Sequence, residues 1–311
     1  MENEYKACSL HKIIKIVARL DVEDEYELFF RGEKRVYSKT ELHPYIYRDN
    51  YIKNEDIIFR ETKRFNEHEF FSDKTTFDVL SRIQHYSAPT RLLDISEDLL
   101  SAIYFAIMEI DDEKLENKEK KEVENAVIYI FKVKNSKLKY YDSDSISVIS
   151  NLSKLPLDGC SKSKKKLLCD VKESKWNIKK FNKKRSSKFL IHEIKDEKPQ
   201  FENIIDPKHI TSIQLVLPKL SSQRIKSQKG AFLLFGLNPD DCEKPIELFK
   251  NGKFNKEIEN VEHPIEDINK VLIPYNKIKD IKKELEQVGI KKPFIYPEID
   301  KVSEYLNVKM K

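Results

Sequence analysis

Glycine is scarce in this chain, which has six glycines among 311 residues, whereas proteins contain about 7% glycine on average. The six lie at positions 32, 159, 230, 236, 252 and 289, so no Gly-x-Gly-x-x-Gly or Walker loop is present. Both motifs need glycine where the backbone approaches phosphate groups. A nucleotide bound by this chain must therefore be held by side chains or beside isolated glycines.

Local clusters of metal-binding residues are also missing. The four cysteines lie far apart and form no Cys-x-x-Cys pair, and the seven histidines show neither a His-x-x-x-His nor a Glu-x-x-His spacing. A disulfide framework and a local zinc site both need closer spacings. We therefore expect no metal.

Long hydrophobic runs are absent as well. No apolar stretch approaches the roughly 18 residues that a membrane-spanning helix needs. The acidic start, Met1 to Glu4, is not followed by an apolar block, so we expect no secretory signal. With 39% hydrophobic and 36% charged residues, the chain is expected to be a cytoplasmic protein without a membrane partner.

The densest group of polar residues lies in the segment from Gln84 to Asp94 (QHYSAPTRLLD). Apolar residues before it recur at helical spacing, and Pro89 predicts that this helix ends near Tyr86. Polar side chains at a helix end and the adjoining turn are typical of binding and catalytic sites. The alternative is that Arg91 and Asp94 form an ion pair that stabilises the turn.

Together with Phe30-Arg31-Gly32, this segment resembles the FRG-domain family. The family pattern has a Gln-His pair followed by Gly-x-Pro-Thr-Arg-Leu-Leu-Asp, and Ser87 stands here where glycine is usual. Further segments that resemble the family are Leu42 to Arg48, Arg224 to Phe232 (RIKSQKGAF), Leu272 to Pro274 and Tyr296 to Asp300.

The order of patterns predicts an α+β fold: a single mixed domain, residues 1–311, with a mostly antiparallel sheet flanked by helices. We expect an N-terminal helix at 8–20, a Lys-rich insertion at about 155–190 and a C-terminal helical closing segment at 264–311. Strands are predicted at 25–30, 126–131, 212–217 and 231–235, and a helix capped by Ser96 at 96–110.

Arg31 is the first candidate catalytic residue, because a guanidinium at the end of a strand is suited to binding phosphate or carboxylate. Gly32 would allow a sharp turn or the approach of a ligand. The placement is similar to that of the R-S-E class of ADP-ribosyltransferases, in which an Arg on an early strand contacts NAD, and this resemblance implies a fold of that type. The alternative is a structural pairing of Arg31 with Asp94 or Glu33.

His85 and Asp94 are the other candidate catalytic residues. His85 is suited to general acid or base catalysis near neutral pH, and Asp94 to orienting it. His85 could instead only cap its helix. The candidate ligand-binding residues are Gln84, Thr90, Arg91, Arg224 and Gln228.

A catalytic carboxylate is not evident from the pattern, because none of the segments that resemble the family contains a Glu-x-Glu or Gln-x-Glu motif. Arg48 and Arg60 are candidates for additional positive charge in the cleft. The candidate carboxylates are Glu33, Glu55, Glu61, Glu69 and Asp94.

Residues 161–188 carry twelve Lys or Arg residues against two acidic ones, a net charge of +10, whereas the rest of the chain carries −5. Cations interleaved with aromatic residues favour nucleic acid. The alternative is a solvated insertion loop that Trp176 attaches to the body. The candidate nucleic-acid contacts are Lys164, Lys165, Lys166, Trp176, Lys183, Lys184 and Arg185.

Two main functional hypotheses follow. The first is an NAD-consuming, ADP-ribosyltransferase-like enzyme of a bacterial toxin or anti-phage system, with NAD or a related nucleotide as ligand. The second is a non-catalytic nucleic-acid-binding or sensor module that acts through the basic segment. A metal-free nuclease around His85 is a third, without a second histidine to support it.

Overall fold

The computed structural model describes residues 3–20, 22–108, 110 and 125–310. Ten strands lie within these ranges: β1 (Glu4–Lys6), β2 (Tyr26–Glu33), β3 (Leu92–Ser96), β4 (Ala126–Lys134), β5 (Leu138–Tyr140), β6 (Ile213–Leu217), β7 (Gly230–Phe235), β8 (Phe249–Lys250), β9 (Lys253–Phe254) and β10 (Ile265–Ile273). No helix in these ranges is both long and apolar enough to cross a membrane.

Helices alternate with the strands and also cluster between β5 and β6. They are α1 (Leu10–Val17), α2 (Glu55–Phe65), α3 (Thr76–His85), α4 (Leu99–Ile107), α5 (Asp144–Ser150), α6 (Lys164–Glu173), α7 (Ile178–Phe181), α8 (Arg185–Glu197), α9 (Pro207–Ile210), α10 (Gln223–Gln228), α11 (Ile278–Gln287), α12 (Lys292–Ile295) and α13 (Ile299–Lys309).

Eight strands form one sheet in the order β1-β10-β4-β2-β3-β7-β6-β5. The pairs from β10 to β6 are antiparallel, and only the outer pairs β1–β10 and β5–β6 are parallel. The predicted α+β class with a mostly antiparallel sheet is therefore confirmed. Whether the whole chain is a single domain stays a prediction.

Strand β4 shows how the sheet is buried on both faces. Ala126, Ile128 and Ile130 pack into one apolar cluster with α1, α4 and α11, whereas Val127 and Tyr129 alternate with them and pack into the opposite cluster. Because successive side chains of a strand point to opposite faces, a continuous apolar run is what burial on both sides requires. The predicted buried strand is confirmed and extends to Lys134.

The Lys-rich segment is folded, so the alternative of a solvated loop is wrong. Helices α6, α7 and α8 insert Leu167, Val171, Phe181, Leu190 and Ile194 into the largest apolar cluster, where each is completely buried. The lysines occupy the other faces of these short amphipathic helices.

Two predicted boundaries and the predicted role of Gly32 need correction. Strand β2 continues through Arg31 and Gly32 to Glu33, so no turn occurs there. Gly32 is instead required because α4 packs against β2: a Cβ atom at this position would lie 1.8 Å from the carbonyl oxygen of Ala102. Asp98 rather than Ser96 caps α4, since Ser96 ends β3 and the Asp98 carboxylate accepts from the Ser101 N–H.

The terminal segments also differ in detail from the predictions. The N-terminal helix predicted at 8–20 is α1, which begins at Leu10 behind the cap Ser9 and ends at Val17. The closing segment predicted to be helical at 264–311 begins with strand β10, which pairs with β4 over nearly its whole length. Helices α11 to α13 follow this strand.

Candidate functional site

A cavity of about 390 Å³ opens where β2, β3 and β7 meet the end of α3 and the helix α10. Residues from all three predicted motif groups line it, although they lie far apart in the sequence. These residues are Arg31, Gln84, His85, Asp94, Arg224 and Gln228. The size is within the usual range for small-molecule sites, roughly 300 to 1,000 Å³.

Gln84 orients the carboxylate of Asp94 through a chain of hydrogen bonds. The Thr90 hydroxyl donates to Gln84 Oε1 at 2.6 Å, which fixes the amide so that Nε2 donates to Asp94 Oδ2, also at 2.6 Å. Thr90 Oγ1 in turn accepts the N–H of Leu92. Thr90 is buried and does not line the cavity, so its contribution is to hold Gln84 in place.

Arg31 is anchored within the sheet. Its Nε donates to Glu33 Oε1 at 2.8 Å and its Nη1 donates to the backbone oxygen of Asp94 at 2.7 Å. Burial alone would lower the pKa of Arg31, but the negative charges of Glu33 and Asp94 together raise it. The structure therefore contains the alternative structural pairing of Arg31, with the Glu33 carboxylate and the Asp94 backbone oxygen. These contacts hold the positive charge of Arg31 in a fixed position at the cavity.

Arg48 and His43 were not selected as principal site residues, yet both line the cavity. The Arg48 Nε is buried without a hydrogen-bond partner in the described part of the chain, and the guanidinium lies 5.7 Å from the ring centre of Tyr45. Burial and the positive charge of Arg48 lower the pKa of His43 to about 4. Both residues lie in the segment Leu42 to Arg48, whose resemblance to the family was the feature of the sequence that could have identified them.

The opposite wall comes from α10 and the residues that follow α12. The Arg224 guanidinium lies 4.7 Å from the ring centre of Tyr296, a cation–π distance. Gln228 Nε2 donates to the Ile295 oxygen at 3.0 Å, and the Ser96 hydroxyl donates to the backbone oxygen of Gln228. These contacts attach the C-terminal segment to the rim of the cavity.

His85 is paired with Glu298, a residue that sequence reasoning did not select. Nε2 of His85 lies 3.2 Å from Glu298 Oε1, and the other oxygen, Oε2, is buried without a partner among the described residues. Burial and the nearby Arg224 lower the pKa of His85, although Glu298 opposes this shift. The imidazole is therefore neutral near pH 7, as a general base must be.

Of the five candidate carboxylates, Asp94 alone is among the described residues that line the cavity. Glu33 is buried behind Arg31, and Glu55 lies in a separate buried ion cluster. Glu61 pairs with Arg64 on the surface, and Glu69 contacts His68. Among the candidate carboxylates that the sequence left open, the structure thus favours Asp94.

Arg91 does not line the cavity. Its guanidinium is completely buried, donating through Nε to Glu55 Oε1 at 2.8 Å and through Nη1 to the Phe235 oxygen at 2.7 Å. The suggested pair with Asp94 is wrong, because Glu55 is the partner of Arg91. Arg60 also lies elsewhere and binds Asp56 and the Lys154 oxygen.

Several of the residues predicted to contact nucleic acid instead form ion pairs within the protein. Lys164 is completely buried and lies 3.0 Å from Glu55 Oε2, so it cannot reach an external polyanion. Lys165 pairs with Asp158 and Glu243, Lys166 with Asp170, and Lys184 with Glu173. Trp176 packs partly buried against the core, as the attachment alternative proposed, whereas Lys183 and Arg185 are exposed.

The backbone conformation of Ser87 explains why glycine is usual at this position in the family pattern. Its backbone φ angle is +62°, in the left-handed region that favours glycine. This conformation reverses the chain after α3 and brings Thr90 back to Gln84.

A comparison with protein families matches residues 26–115 to the FRG domain. The match includes β2 with Arg31, the segment with Arg48, and α3 and β3 with Gln84 and Asp94. Neither the curated proteins nor the solved structures compared with this chain gave a match. On its sequence motifs and this family match, the chain contains an FRG domain over residues 26–115.

Proposed function

We propose that the cavity binds a nucleotide of the NAD type and that the protein consumes NAD in an ADP-ribosyltransferase-like reaction. The observation that carries this proposal is the charge of the cavity lining: Arg31, Arg48 and Arg224 surround it, and Asp94 is the single carboxylate among its described residues. Positive charge on three sides favours a ligand with a pyrophosphate group.

The arrangement of the walls supports this ligand class. Arg48 has a buried Nε with no hydrogen-bond partner in the described ranges, and a phosphate oxygen would satisfy it. Tyr45, Phe105 and Tyr296 supply aromatic surfaces for the bases. The side chains therefore provide what the missing glycine-rich loops would otherwise supply.

Asp94 is the group that we assign to the chemistry. When the bond between ribose C1′ and the nicotinamide nitrogen breaks, its electron pair neutralises the pyridinium and positive charge develops on the ribose. A carboxylate held in a fixed orientation stabilises that charge. With water as acceptor, the products are nicotinamide, ADP-ribose and a proton. Gln228 cannot serve in this role because its amide is uncharged.

The proposal is tested by nicotinamide release from NAD, with Asp94→Asn as the paired variant. We expect wild-type release and a loss of about 100- to 1,000-fold in the variant, comparable to removal of one electrostatic stabiliser. Release that is unchanged in Asp94→Asn would remove this carboxylate from the mechanism, and absence of release would reject NAD consumption. Such an activity would fit a toxin or an anti-phage protein of the bacterial cytoplasm.

A second candidate function, binding of nucleic acid, is favoured by one observation. Eight cations of the 161–188 segment are exposed and have no carboxylate partner within the described residues: Lys162, Lys172, Lys175, Lys179, Lys180, Lys183, Arg185 and Lys188. Unpaired surface cations release counterions when they bind phosphates, which makes binding depend steeply on salt.

The variant Lys179→Gln/Lys180→Gln/Lys183→Gln tests this candidate. If the face binds DNA or RNA, removing three phosphate contacts lowers the slope of log affinity against log salt by about 2 to 3. The matched control is Lys12→Gln/Lys39→Gln/Lys74→Gln, in which exposed lysines outside the segment are changed. Equal slopes in both triple variants would reject this face as the binding surface.

A further inference from the structure

A second cavity of about 550 Å³ adjoins the first one. Ser81, His85, Arg224 and Ile225 line both cavities, so these four residues form the boundary between them. Glu298, the partner of His85, lines only the second cavity. A ligand in each cavity would therefore contact the same imidazole.

The two cavities differ in charge. Cations outnumber carboxylates in the first, whereas the second is balanced: Asp73 is bound to Arg82 and Asp78 to Lys219, each at 2.7 Å. Arg224 and Glu298 add one charge of each sign. The second cavity consequently has no excess charge to attract a phosphate, and its remaining surface consists of serines, Gln223 and apolar or aromatic side chains.

We infer that the second cavity receives the acceptor of the ADP-ribosyl group, and that this acceptor is an uncharged hydroxyl group on a peptide side chain. The inference rests on the proposed NAD-consuming function. The balanced charge favours an uncharged acceptor, and the polar and aromatic walls are suited to a short peptide segment.

The reaction balances without any further reactant. The bond between ribose C1′ and the nicotinamide nitrogen breaks and leaves its electron pair on the nitrogen. The hydroxyl oxygen forms a new bond to C1′, and its proton passes to the neutral imidazole of His85. Glu298 is a positioning residue, because its carboxylate fixes the ring and stabilises the imidazolium that forms.

The acceptor site is tested with NAD and an end-blocked Gly-Ser-Gly tripeptide, by measuring nicotinamide release and peptide modification separately. Ser221→Trp introduces a large ring into the second cavity only. We expect about 100-fold less peptide modification, with nicotinamide release to water within about twofold of wild type. Ser136→Trp, an exposed serine that lines neither cavity, is the matched control and should keep both activities.

The two failures are distinguishable. Nicotinamide release without peptide modification, or modification that is equal in wild type and Ser221→Trp, overturns the acceptor site and leaves the proposed function intact. Absence of nicotinamide release from the wild-type protein rejects the proposed function, and this inference with it.

Glu298→Gln gives a readout that a merely structural role would not change. The charged and titratable groups around His85 are Arg82, Tyr86, Arg224 and Glu298. Loss of the carboxylate removes the one influence among these that raises the pKa of His85. The acidic limb of the pH profile for peptide modification should therefore move to lower pH. An unchanged limb overturns the role assigned to Glu298.

Discussion

The buried cations Arg91 and Lys164 share one carboxylate, Glu55, whereas the cations Arg48 and Arg224 line the open cavity. In the first group, the backbone oxygens of Phe235 and Leu155 accept further hydrogen bonds from Arg91 and Lys164, so each cation is bound within the protein. In the second group, Arg48 keeps a buried Nε without a partner in the described residues. The comparison separates cations that bind groups within the protein from cations that face an open cavity.

The pKa directions agree with this division. Burial alone would raise the pKa of Glu55, but Arg91 and Lys164 together hold it below its ordinary value. In the cavity, burial and the uncompensated charge of Arg48 instead lower the pKa of the neighbouring His43. The closed cluster thus stabilises the charged forms of Glu55 and Arg91, although burial lowers the pKa of Lys164. The open group of cations disfavours further positive charge nearby.

The largest expected effect is on the closed cluster. Arg91→Met leaves Glu55 buried with only Lys164 as counter-charge and leaves the Phe235 oxygen without its side-chain donor. We expect a loss of about 3 to 5 kcal/mol in the free energy of unfolding, as measured by urea denaturation. The control Arg185→Met, on the surface, should change it by less than about 0.5 kcal/mol. A loss below about 1 kcal/mol for Arg91→Met would contradict the division.

The next effect concerns pH. His43 has a pKa of about 4 when folded and about 6.5 when unfolded, so between these values the unfolded state binds the additional proton. The free energy of unfolding should therefore fall as pH decreases below about 6.5, by about 2 kcal/mol at pH 5 from this residue. His43→Gln should lack that component.

Urea denaturation at pH 7 and pH 5 measures the His43 contribution as a difference between variants. The matched control is His11→Gln, because His11 is exposed. If His43→Gln and His11→Gln lose equal stability on acidification, the cavity does not act on His43 as described.

The smallest effect is on the hydrogen bonds that connect the two regions. Thr90 directly precedes Arg91, and its hydroxyl donates to Gln84 at the cavity. Thr90→Val retains the shape but removes this donor, and with it the acceptor of the Leu92 N–H, so we expect a loss of about 1 kcal/mol in unfolding free energy. Thr62→Val, whose hydroxyl bonds only to a backbone oxygen of a half-exposed helix, should lose less. Equal losses would show that the Gln84 bond does not contribute.

Much of the cavity could be predicted from the sequence because its residues belong to recognisable local patterns. Pro89 and the helical spacing before it place Gln84 and His85 at the end of α3, and β3 follows directly with Asp94. The family-like segments then indicated that Arg31, Arg224 and Gln228 belong to the same site. Only the structure, however, shows that they line one cavity.

The buried cluster could not be predicted in the same way, because its partners are 36 and 73 positions from Arg91 along the chain. One local signal was nevertheless present. Leu167, Leu168 and Val171 follow Lys164 at helical spacing, so Lys164 shares the apolar face of α6. Glu298 gave no such signal, since its role depends on how the C-terminal segment packs against α3.

The central claim is that the cavity cations bind an anionic nucleotide, and titration calorimetry with ADP-ribose tests it most directly. We predict that wild-type protein and Arg185→Ala bind with equal affinity, and that Arg48→Ala binds about 10- to 100-fold more weakly, because it lacks a charged hydrogen-bond donor. Absence of binding by the wild-type protein, or equal affinity of wild type and Arg48→Ala, would contradict the claim.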